Sequence, residues 1–143
     1  MSNEDRTYKI GEVYFMEING TCNEQRGFRP CVIFQNNVGN AHSPNIVALP
    51  LTTALKRTEM PTHVVLPAKD TGLPKDSMVL CENPVCVSKT KIGNYITTLS
   101  NDYMKKIAEG NIYASSAIAF IDPAIMMVLW EKALRLNSKG STT

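Results

Sequence analysis

From Ile10 onward the chain breaks into short apolar runs separated by clusters of Gly, Pro and Asn. Runs of roughly four to eight β-rich residues between such breakers suit strands, and they are too short for the long amphipathic helices of a bundle. Strands are predicted at 12–18, 30–35, 45–51, 63–66, 77–81 and 85–88. The first alternates in part, with Val13, Phe15 and Glu17 on one side. PCVIFQ and NIVALPL are apolar throughout, as strands covered on both faces would be. Pro50 inside the latter predicts an edge strand or a bulge, because proline cannot donate to a ladder. The polar stretch 19–27, with two glycines, reads as a loop, and 36–44 reads as an irregular connection.

Helix signals come late. Ser100 suits an N-cap, with Asp102 in the first turn and Tyr103, Met104 and Ile107 supplying an apolar face; Gly110 or Asn111 is expected to interrupt it. A second start has Asp122 as cap and Pro123 at the first helical position. Met126, Leu129, Trp130, Ala133 and Leu136 then follow at helical spacing. The expected fold class is mainly β with helical additions, a compact and largely antiparallel barrel. The segments read as a flexible arm over 1–8, a domain over 9–120, a C-terminal helical extension over 121–137 and a disordered tail over 138–143.

Composition excludes few functions. The formal charge is only +2, so any surface for nucleic acid must be a local cluster. Cys22, Cys31, Cys81 and Cys86 show no metal-ligand spacing, alone or with His42 and His63, and are expected to be reduced structural thiols. The first residues lack an apolar signal core, and no run approaches the roughly 20 residues that span a bilayer. A protein of the cytoplasm, with neither metal nor cofactor, is expected.

Two residues stand where strands meet loops. Arg29 precedes Pro30, which pushes it to an extended conformation, and its guanidinium suits forked contacts to phosphate. Thr52 closes the run NIVALPL, where its hydroxyl can donate to a phosphate oxygen or simply cap a turn. Lys56 and Arg57 form a small basic loop. Lys69, Lys75, Lys89 and Lys91 scatter further charge, which more often marks a solvated face. Glu24, Gln25, Asn36, Glu82 and Asn83 are candidates for reading the base edges of unstacked RNA. No phosphate-binding glycine loop, zinc-protease or serine-hydrolase motif is present. A pair built from His42 and His63 remains a rival acid–base arrangement.

The order of segments carries more weight than any one residue. G-E-V-Y-F-M-E-I (11–18) is followed by N-E-Q-R-G-F-R-P-C-V-I-F-Q-N (23–36), G-N-x-x-S-P (39–44), Leu51-Thr52, P-T-H-V (61–64) and D-S-x-V-L-x-E (76–82). This series resembles the MazF/PemK toxins. The resemblance implies an SH3-like β-barrel of the plasmid-maintenance toxin type, assembled as a homodimer. It implies metal-independent cleavage of single-stranded mRNA, held off by a cognate antitoxin whose acidic tail fills the RNA groove. Carried over by motif, the catalytic pair is Arg29 and Thr52, with Thr53 and Lys56 beside the substrate. The chain departs from the family at Arg26, at Val85 and at Glu82-Asn83-Pro84, so the RNA motif is not implied. Two rivals share the fold: a gyrase poison of the CcdB type, and a catalytically silent RNA-binding homologue. The first is disfavoured by an end, SKGSTT, without tryptophan.

Overall fold

The computed structural model describes residues 6–19 and 26–141. Within them seven strands form one antiparallel sheet in the order β4-β5-β3-β2-β1-β7, with β6 paired to β3. They are β1 (Glu12–Asn19), β2 (Arg26–Ile33), β3 (Asn45–Thr52), β4 (His63–Leu66), β5 (Ser77–Leu80), β6 (Val85–Ser88) and β7 (Ile92–Thr98). Four α-helices are added: α1 (Asn37–His42), α2 (Ala68–Thr71), α3 (Asn101–Ser115) and α4 (Met126–Ser141). The expected class, mainly β with helical additions, is what the chain forms.

Both faces of the sheet are covered, which explains the unbroken apolar runs. Val13, Val32, Leu49, Leu51, Val79 and Ile107 belong to one buried cluster. Tyr14, Met16, Ile18, Cys31, Ile33 and Ile46 belong to the other. Alternate residues of β1, β2 and β3 therefore go to opposite cores. In β1 the fully buried side is Tyr14, Met16 and Ile18, whereas Phe15 is exposed and Glu17 half-buried, so the expected Val13–Phe15–Glu17 face is not the main core face.

β3 is the hub rather than an edge. It pairs β6 through Asn45–Ala48 and β5 through Leu51 and Thr52. Pro50 falls between these two pairings, where its missing donor disrupts no ladder bond on that side. β2 starts earlier than expected, at Arg26, because Asn19 and Arg26 already pair across the hairpin. The 3-10 turn Lys89–Lys91 leads into β7, which carries Gly93 and Asn94 and reads as turn-like in isolation. It pairs β1 through two register irregularities, and a side chain at Gly93 would meet the Phe15 carbonyl at 3.2 Å.

Other departures have local causes. The connection after β2 contains α1, whose N-terminus is capped by Asn36 accepting from Gly39 N at 2.9 Å. Residues 6–8 are not a loose arm: Tyr8 is buried edge-on against Tyr14, 5.2 Å between ring centroids. α3 runs through Gly110 to Ser115, because its bare Cα lets the helix press against Cys81 and Pro61. Asp122 caps a 3-10 turn, Pro123–Ile125, before α4 begins. α4 continues to Ser141, into the stretch read as tail. Its Asn137 holds α1 by accepting from Asn37 N and Nδ2, both at 3.1 Å. Among the described residues no helix is long and apolar enough to cross a membrane.

Candidate active site

β2 and β3 bring the two principal candidates together. Their register pairs Cys31 with Pro50, and extending it by two residues sets Arg29 against Thr52. A strand's period of two then turns both side chains to the same face. Both are half-buried. They line a cleft with two adjoining lobes of about 320 and 670 Å³, and Arg29, Thr52 and Ala54 border both. Pro30, Leu51, Thr53 and Ser77 complete the smaller lobe. Lys56, Arg57, His63, Met78 and Leu80 complete the larger.

The charged side chains of this lining are Arg29, Lys56 and Arg57, all cationic, and no carboxylate is among the lining residues. Such a wall favours a polyanion through several same-sign contacts, which added salt weakens. Thr52 Oγ1 accepts from Ala54 N at 3.1 Å, which aims the hydroxyl while leaving its proton free to donate. Beneath the site, burial pushes the Cys31 thiol up to about 12, with the nearby Arg29 charge opposing only in part.

The basic loop after β3 is held by a network that sequence reasoning passed over. Arg57 lies in the left-handed region at φ 53°, unusual for a residue with a side chain. Its carbonyl accepts from Met60 N at 3.1 Å and faces His63 Nδ1 at 2.9 Å. His63 Nε2 lies 3.0 Å from Glu82 Oε2, and that oxygen also accepts from the Thr62 hydroxyl at 2.5 Å.

The other sequence candidates divide. Thr53 and Lys56 line the cleft. Glu82 stands behind it, bound to His63, and Asn83 lies in the turn that follows β5, outside the lining. Asn36 is spent on capping α1. Glu24 and Gln25, like Cys22, lie outside the described residues. His42 ends α1 exposed and away from the lining, so the two histidines do not share this cleft. His63 and Arg57 were read separately, as half of a histidine pair and as part of a basic loop, and their contact with each other was missed. The signal was their common loop-to-strand stretch, but only the tertiary contacts give them partners. Among the described residues no group of His, Cys, Asp and Glu could hold a metal ion. Cys31, Cys81 and Cys86 are free; the first two are buried, whereas Cys86 is exposed on β6 rather than buried as expected.

The family model described as PemK-like, MazF-like toxin of type II toxin-antitoxin system matches residues 9–110. The endoribonuclease EndoA of Bacillus subtilis is 34% identical over 102 residues, covering 71% of this chain and 88% of that one. A mycobacterial endoribonuclease solved with its cognate antitoxin superposes with a TM-score of 0.64 at 27% identity, covering 76% of this chain and 95% of that one. MazF from Deinococcus radiodurans gives a TM-score of 0.68 at 18% identity over 78% and 99% of the two chains, a likeness of fold alone.

Proposed function

The chain belongs to the PemK-like, MazF-like toxin family of type II toxin-antitoxin systems, and from that premise we propose that it is an endoribonuclease cutting single-stranded RNA at the Arg29–Thr52 cleft. The observation that carries this reading is one anion-attracting cleft bordered by both residues, with Lys56 and Arg57 along the same wall. The scissile phosphate sits at Arg29 and Thr52, and the flanking backbone runs past the loop cations.

The ribose 2′-oxygen attacks the adjacent phosphorus. The new bond closes a 2′,3′-cyclic phosphate as the bond to the 5′-oxygen breaks; water takes the 2′-hydroxyl proton, and the departing oxygen takes one from water and leaves as a hydroxyl. Negative charge grows on the non-bridging oxygens, where the Arg29 guanidinium and the Thr52 hydroxyl are preorganised donors. Arg29 stays charged throughout, so its part is electrostatic. Holding two nucleotides splayed for in-line attack supplies the orientation term. Guanidinium and ammonium groups provide the positive charge, and the reaction needs no metal ion.

Two partners follow. An antitoxin with an acidic tail is the natural occupant of a cationic cleft, and the antitoxin complex of the mycobacterial relative supports it. A second copy of the chain is the other. From Ile112 to Leu136 every residue but Ile121 is exposed, including Phe120, Met127 and Trp130, an apolar surface that a homodimer would cover.

The test is incubation of wild type and Arg29→Ala with a long mixed-sequence RNA in EDTA. Wild type should give site-specific cuts with cyclic-phosphate ends, and the variant should lose about a hundredfold or more in rate. Cleavage by Arg29→Ala at the wild-type rate would remove Arg29 from the site. Folded wild type that cuts nothing would favour the gyrase-poison reading.

A further inference from the structure

We propose that His63 is a positioning residue, and that with Glu82 it staples the cationic wall of the cleft into the shape that receives RNA. This rests on the reading of that cleft as the RNA site. The ring contacts define the device. Nδ1 faces the Arg57 carbonyl at 2.9 Å and Nε2 faces the Glu82 carboxylate at 3.0 Å. Each ring nitrogen thus faces an oxygen of a different segment, one on the loop and one on the turn. The His63 side chain is only 12% exposed, so water does not readily replace either partner.

Three segments meet at this ring: the start of β4, the loop after β3, and the turn between β5 and β6. The loop most needs holding. Arg57 occupies a left-handed conformation that side-chain-bearing residues rarely adopt, and its carbonyl is fixed by Met60 N and His63 together. Lys56 and Arg57, which line the larger lobe with Arg29, ride on that loop. Of the charged groups, Glu82 on the turn touches the ring, while Lys56 and Arg57 on the loop and Arg29 on β2 line the same lobe as His63. Both ring nitrogens are engaged within the wall, so His63 acts by holding it and not by taking the 2′-proton. Glu82 Oε2 takes both Thr62 and His63, which makes this carboxylate a support of the wall.

The experiment compares full-length wild type, His63→Gln, Glu82→Gln and the double variant. In free wild type at mildly acidic pH, both His63 ring N–H protons should persist as NMR resonances. Those of exposed His42 should vanish by exchange with water, an internal control. In cleavage of a single-stranded RNA, His63→Gln should raise KM about tenfold with kcat within about twofold, because binding is lost and not transition-state contact. Glu82→Gln should do the same, and the double variant should be no worse than either, since both act through one device.

The staple is overturned if the His63 ring protons exchange as fast as those of His42, or if the two substitutions add. A loss of about a hundredfold in kcat at unchanged KM would overturn it too, by putting His63 in the chemistry. If wild type cuts no RNA, the site reading fails on its own, and the ring-proton measurement still decides whether the staple exists.

Discussion

Gly110 offers the sharpest test of how the helical layer supports the site. In the middle of α3 a glycine costs helix stability, and Gly110→Ala considered on the helix alone should gain about 1 kcal/mol. The tertiary structure opposes that gain. A Cβ at this position would lie 2.9 Å from Cys81 Sγ, 3.2 Å from the Pro61 carbonyl oxygen and 3.3 Å from Cys81 Cβ. Cys81 is fully buried, and Pro61 O is backbone, so neither moves cheaply. Overpacking of this kind costs about 1–3 kcal/mol. Taking about 2 kcal/mol leaves a net loss of about 1 kcal/mol, or about 3 °C in melting temperature for a chain of this size.

Cys81→Ala supplies the control. It removes the sulfur that the new methyl would strike, so the combined variant should be more stable than the two single losses predict, by about 1 kcal/mol. Denaturant unfolding of the four proteins in reducing buffer measures the cycle. A rise in midpoint for Gly110→Ala, or strict additivity with Cys81→Ala, would refute the close-packing account. The consequence reaches function, because Pro61 and Cys81 immediately precede Thr62-His63 and Glu82, the residues that brace the cleft. Asn111 adds a hydrogen bond from Nδ2 to the Cys81 carbonyl at 3.3 Å.

Two further outcomes are expected. In a Cys22→Ser background, an alkylating reagent at neutral pH should label exposed Cys86 and spare Cys31 and Cys81, whose thiols burial pushes up to about 12. That places both far below thiolate formation at neutral pH. Mass mapping checks this, and fast labelling of Cys31 in folded protein would contradict its burial. Phe120→Glu should weaken a homodimer by about tenfold or more, since a charge would enter an apolar contact. Sedimentation at micromolar concentration reads it, and an unchanged dimer would remove this surface from the interface.

Local chemistry alone determined a large part of the fold. Strands His63–Leu66 and Val85–Ser88 have the bounds that their breakers and β-rich composition predict, and Ser100 and Asp122 cap where their side chains require. These are contests settled within a few residues, so periodicity and turn chemistry decide them. The ordered motifs also carried the family. What needed the tertiary structure was everything decided by a distant partner. β7 exists because β1 tolerates a bulged register, and α3 passes Gly110 because Cys81 and Pro61 are there to meet it. Pro50 sits mid-sheet only because β3 changes partners at that point. Arg29 and Thr52 were visible as separate strand-end residues, but the pairing of β2 with β3 is what sets them on one cleft. His63 and Glu82 were legible only as half of a rival histidine pair and as a possible RNA contact, because a side chain's role depends on which partners surround it, and those partners come from separate segments of the chain.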